Sequence, residues 1–151
     1  EQGLARMCNS LSNDGFGFIA QGMRDGHYVG FHDQYLASMA DGGGTPYSDS
    51  GQVETALKKL GMHVQTRVLD YTTVVPADRP QLLESYLQRC VFDDTFSLEE
   101  MLLREPLAGY LASCHDQDSG EYRFPQRVGM TLFSHTEGGL TLRDAKVSGV
   151  D

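Results

Sequence analysis

The chain has 151 residues with 40% hydrophobic and 22% charged residues, enough for one domain that buries roughly two thirds of its unfolded surface and too few for two. Its 12 Lys plus Arg stand against 21 Asp plus Glu, a formal net charge of -9, which disfavours nucleic acid and anionic membrane surfaces as partners. No apolar run reaches the roughly 18 residues of a membrane helix, Glu1 to Ser10 lacks a signal-peptide core, and Cys8, Cys90 and Cys114 form no CxxC pair; a cytoplasmic chain with reduced, mostly buried thiols is expected.

The chain opens Glu1-Gln2-Gly3-Leu4 without an initiator methionine, the expectation being a processed product or the C-terminal part of a longer protein. Leu4, Met7, Cys8 and Leu11 fall at i, i+3, i+4 and i+7, one face of a short helix that Ser12-Asn13-Asp14-Gly15 ends. Phe16-Gly17-Phe18-Ile19-Ala20 suits a buried strand. Asp25 to Ser50 is a Gly, Asp and Ser-rich excursion with a helical candidate at Phe31 to Met39. Asp49 or Ser50 caps the next helix, whose Val53, Ala56, Leu57 and Leu60 share one face and whose Gly61 supplies a left-handed C-cap. Met62 to Val75 then alternates and turns β-branched, predicting one long strand up to Pro76. Pro80 begins a helix with Leu83, Tyr86, Leu87 and Cys90 on one face; Ser97-Leu98-Glu99-Glu100 is a capping box; and Pro106 restarts helical periodicity at Leu107, Tyr110 and Leu111. Arg127 to His135 alternates as the last strand, and Gly138 to Asp151 shows no sustained pattern. One α/β domain over 1–136 with a poorly patterned tail over 137–151 is expected, its sheet having three strands.

Several motifs invite a chemical reading that their surroundings do not support. Gly15-Phe16-Gly17-Phe18-Ile19-Ala20 has the written form of a dinucleotide fingerprint. A helix precedes it, however, and its apolar residues lie inside the motif, whereas a fingerprint needs a strand before and a helix after. His27 and His32, flanked by Asp25 and Asp33, lack the spacing of a metal site. Cys114-His115-Asp116 reads as the end of a helix, where consecutive side chains diverge by about 100° and form no triad. Asp93, Asp94, Glu99, Glu100, Asp116, Asp118 and Glu121 lie at helix ends or in loops, positions where acids complement a helix dipole or are solvated. No catalytic residue is assigned, and neither a cofactor-binding nor a metal-binding residue is found. Tyr28 and Phe31 stand just beyond the first strand, where an α/β sheet places ligand contacts, although packing in the core or anchoring of the loop is the role expected of both from the residues alone.

The run Leu11-Ser12-Asn13-Asp14-Gly15-Phe16-Gly17-Phe18-Ile19, then Pro46-Tyr47-Ser48-Asp49-Ser50, then Val53 to Leu60 with Gly61-Met62 and Val64 to Val75, resembles the C-terminal half of a class I S-adenosylmethionine-dependent methyltransferase. The similarity is to the small-molecule N-methyltransferases of the histamine methyltransferase kind, which carry an insertion like Leu82 to Phe92 after the sixth strand. The resemblance spans about Leu4 to His135. It implies a partial Rossmann-like sheet with strands equivalent to the fifth, the sixth and an antiparallel seventh inserted between them, the seventh at Phe124 to Phe133. It implies S-adenosylmethionine as cofactor, bound by a half that has no counterpart here, and a small-molecule acceptor facing Tyr28, Phe31, His32 and Gln126. Gln126 departs from the shorter amide of the histamine-type members. Methyl transfer from a sulfonium is an in-line displacement that needs alignment and acceptor deprotonation rather than a covalent nucleophile.

The chain is thus expected to be the acceptor-binding portion of such an enzyme, inactive alone, with a homo-oligomer or a complementary N-terminal half as partner. The alternative is a non-enzymatic α/β or α+β module that binds a ligand in an apolar cavity or docks a partner on its open sheet edge. A small hydrolase or isomerase would draw on His32 and His63.

Overall fold

The computed structural model describes residues 2–39 and 45–140. Their order is α1 (Gln2–Asn9), β1 (Phe16–Gly22), α2 (His27–Met39), α3 (Ser50–Lys59), β2 (His63–Pro76), α4 (Pro80–Val91), α5 (Leu98–Leu103), α6 (Leu107–Cys114), β3 (His115–Asp116), β4 (Glu121–Ser134) and a 3-10 turn at Glu137–Leu140. The last part of the expected tail, 141–151, lies outside the described residues.

The fold is α/β, built on a small open sheet in the order β1–β4–β2, every pairing antiparallel to β4, so that β1 and β2 run parallel to each other on either side of it. β4 pairs with β2 along its whole length, from Pro76↔Glu121 to His63↔Ser134, and with β1 only from Gly22↔Val128 to Phe16↔Ser134. Beyond the carboxyl end of β1, the two-residue β3 takes the vacated side of β4 through His115↔Tyr122 and Asp116↔Glu121. The sequence reading runs the helix on through His115 and Asp116 and counts three strands. Instead the helix stops at Cys114 and the next two residues join the sheet as a fourth strand.

Other boundaries differ locally. α2 starts at His27 rather than Phe31, because His27 itself is buried against the sheet. β4 starts at Glu121 rather than Arg127; buried Phe124 and Gln126 alternate with exposed Arg123, Pro125 and Arg127, but a proline on the outside and an amide on the inside hide that alternation in the sequence. The capped elements stand as expected: Asp49 accepts from the Gln52 amide in a full capping box, Gly61 adopts φ 79°, Pro80 opens α4, and Ser97 and Glu100 cap α5 reciprocally.

The sheet is covered on opposite faces at opposite ends. On one face Cys8, Leu57, Met62 and Phe133 form a core with Ile19, Val53 and Val64, beneath α1 and α3. Gly17 allows this packing, since a Cβ there would sit 2.2 Å from Cζ of the Phe133 ring. On the other face, along the β2–β4 ribbon past β1, the larger core joins Phe31, Tyr35, Val75, Leu83, Leu87, Met101, Leu107, Leu111 and Phe124 from α2, α4, α5, α6 and the sheet. Directly paired residues share a face, so Phe16, Phe18 and Ala20 line up with Leu132, Met130, Val128 and Leu69 on the second face. There Phe16, Phe18 and Leu69 are exposed.

Candidate functional site

Past the carboxyl end of β1 the chain turns sharply into α2. Gly26 packs so closely on β4 that a Cβ would come within 2.9 Å of the Arg127 backbone, and Gly22 has the Tyr28 and Tyr47 side chains against it. Beside this turn, on the sheet face that carries the larger core, lies a cavity of about 450 Å³ walled by Ala20, Gly22 and Val128 of the sheet, by Tyr28, Tyr47 and Tyr71, and by Arg89, Cys90 and Phe92 at the end of α4. A second cavity of about 300 Å³ shares Tyr28, Arg89 and Cys90 and reaches Tyr86. The site therefore sits where β1 ends and the β2–β4 ribbon continues.

The wall is aromatic and hydroxylic. Burial, followed by the contact with Tyr71, pushes the Tyr28 phenol up to about 12. Burial also raises Tyr47 and Tyr86, and it pushes the Cys90 thiol up to about 11, so this sulfur is no thiolate nucleophile. Behind the wall His27 is enclosed by the rings of Phe31, Tyr86, Tyr110 and Phe124. Burial lowers its pKa to about 4; the neutral ring meets the Tyr110 hydroxyl at Nδ1, 2.8 Å away, and leaves Nε2 without a partner. Gln126 donates from Nε2 to the Tyr86 hydroxyl at 2.7 Å and its Oε1 is likewise unpartnered and buried.

The four residues expected to face an acceptor thus occupy three depths. Tyr28 lines the cavity. His32 stands one layer out, its ring edge-on to Tyr47, with burial lowering its pKa and Nδ1 unpartnered. Gln126 reaches the cavity only through Tyr86. Phe31 is fully buried in the core and supports the floor rather than the surface of the site. Tyr47, Tyr71, Arg89 and Phe92 escape sequence reasoning, because three different elements bring them together. His63 is exposed at the opposite end of β2, far along the strand from this cavity.

Among the described residues no group of three or more His, Cys, Asp and Glu side chains is arranged to hold a metal ion, and no helix is long and apolar enough to cross a membrane. The single G-x-G-x-x-A run is strand from Phe16 onward, and Gly17 within it is filled from above by Phe133 instead of opening a helix N-terminus toward a ligand. No family model matches the chain, and no curated protein matches it.

Proposed function

We propose that this chain is the acceptor-binding portion of an S-adenosylmethionine-dependent methyltransferase acting on a small molecule, with the cofactor held by a complementary half. The observation that carries the reading is the sheet order. An antiparallel strand inserted between two parallel ones, with the tyrosine-walled cavity at the carboxyl end of the first, is the arrangement that the resemblance implies for the fifth, seventh and sixth strands.

Two further features support it. The outer edge of β1 has no strand beside it among the described residues, and Phe16 and Phe18 lie exposed on the adjoining sheet face, as a half-sheet awaiting its neighbour would have them. The cavity wall holds no activated nucleophile, while His32 offers a neutral imidazole behind Tyr47, consistent with chemistry that asks of this half only that it align and deprotonate an acceptor.

The test begins with the native polypeptide. Size-separated extract from cells that express the chain is probed by mass spectrometry for these residues, and the species found is titrated with S-adenosylmethionine. The expected outcome is a polypeptide well above 151 residues, or a stable complex, that binds the cofactor, while the isolated chain does not. Cofactor binding by the isolated chain would contradict the division of labour proposed here. A free-standing native chain with no cofactor affinity would favour a non-enzymatic binding module.

A further inference from the structure

The end of α4 presents two side chains to the cavity that the fold itself does not require. Arg89 borders both cavities of the site and a third, of about 510 Å³, between Ser85, Gln88 and Phe92. Its Nε donates to the Ser85 carbonyl, and it makes no ion pair among the described residues, whereas Arg24, Arg123 and Arg127 are each paired with Asp or Glu. Asp93 and Asp94 line that third cavity together with Arg89 and Phe92, but Asp93 is engaged by the Tyr35 hydroxyl and by Thr95, and neither acid forms an ion pair with Arg89.

One turn on, Phe92 is 93% exposed and holds φ 55° and ψ 36°. A bulky non-glycine residue in the left-handed region is strained, and a fully solvated phenyl ring gains nothing from it. Facing these two are Tyr28, Tyr47 and Tyr71, with no carboxylate in the lining of the 450 Å³ cavity. An aromatic plane, hydroxyl donors and a free guanidinium around an apolar floor match a ligand with a flat apolar body and a negative end.

We propose that this cavity binds a small aromatic carboxylate, its carboxylate held by Arg89 and its ring laid against Phe92, with the tyrosine wall opposite. The assignment deepens the acceptor-site reading, on which it rests only for the fate of the bound acid; binding itself needs no cofactor.

The 151-residue chain is titrated with benzoate, with its neutral isostere benzamide and with the cation benzylamine, at low and at moderate salt, by NMR. Benzoate is expected to bind and shift the amides of Tyr28, Tyr71 and Phe92, to weaken with salt, and to lose at least tenfold in affinity to Arg89→Gln. Benzamide should bind at least tenfold more weakly than benzoate, and benzylamine should not compete. Phe92→Gly relieves the backbone strain, so it should raise the urea midpoint while weakening benzoate binding, a combination that a purely structural Phe92 would not produce. No binding of benzoate, undiminished binding to Arg89→Gln, or benzylamine binding as tightly as benzoate would each overturn the assignment. Because no outcome involves methyl transfer, the proposal fails or stands separately from the methyltransferase reading.

Discussion

Gly17→Ala isolates the contact that makes one face of this sheet close. The added Cβ would meet Cζ of Phe133 at 2.2 Å and both Cε atoms at 2.6 Å, more than an ångström inside ordinary contact. Phe133 is fully buried on the central strand, pinned by Cys8, Leu57 and Met62, so its ring cannot swing away without opening a void. Overpacking of this kind costs about 1–3 kcal/mol. Against it stands roughly 0.5–1 kcal/mol gained by removing a glycine from a strand interior, leaving a net loss of about 0–2.5 kcal/mol. In Phe133→Leu the shorter side chain leaves room for the methyl, so Gly17→Ala made in that background should keep only the gain from removing a glycine, about 0.5–1 kcal/mol. Urea unfolding followed by circular dichroism, with the four proteins of the cycle, measures the coupling. A stabilising Gly17→Ala, or strictly additive effects in the double variant, would refute the contact and with it the explanation for why this glycine-rich run is a strand and not a nucleotide turn.

Three further outcomes follow from the geometry. His27 is neutral in the fold with a pKa of about 4 against an ordinary 6.5; the folded state therefore binds fewer protons than the unfolded one between these values, and stability should fall from about pH 6.5 down to about pH 4, by about 3 kcal/mol in all. An NMR titration placing the His27 midpoint near 6.5 would exclude its enclosure by four aromatic rings. Asp49→Ala removes both the cap of α3 and the acceptor of Arg24 Nε and Nη2, each 3.0 Å away, and should cost about 1–2 kcal/mol, while Asp49→Asn keeps the cap and should cost less than half of that in the same urea assay. Cys90 is buried and its thiol is pushed up to about 11; Ellman's reagent at pH 7.5 should leave it unmodified in the native chain and consume it at once in guanidinium, and rapid native reaction would show the cavity wall to be open at that point.

How legible the fold was depended on whether its signals were local. The capping boxes at Asp49 and Ser97, the C-cap at Gly61 and Pro80 at the head of α4 are set by residues within four positions of one another, and the structure has each of them. The start of α2 at His27 was not legible, because the burial of a polar ring depends on Tyr86, Tyr110 and Phe124, all far away in sequence. The same holds for β3, two residues long, which become a strand only because β1 ends and leaves the flank of β4 open to them. Of the candidate site, Tyr28 was found because a position just past a strand's carboxyl end is a local fact. Phe31 sits one helical turn from Tyr28 and goes into the core instead, a distinction that periodicity cannot draw when both sides of a helix are covered. Arg89 and Phe92 were lost in a helix read for its apolar face, where an arginine near the C-terminus already has a reason to exist in the helix dipole.

The position of the cavity follows from unequal strand lengths. β2 and β4 each run 14 residues while β1 runs 7, so the sheet is three strands wide at one end and essentially two at the other. The narrow end cannot bury its second face against β1 and is covered there by α2, α4 and α6. The wide end carries its helices on the first face and leaves the second bare at Phe16, Phe18 and Leu69. Where the covered part of the second face gives way to the bare part, the helices stop, and the step between them is the cavity beside Gly22 and Val128. A layer added over the bare part would thus meet the tyrosine wall edge to edge.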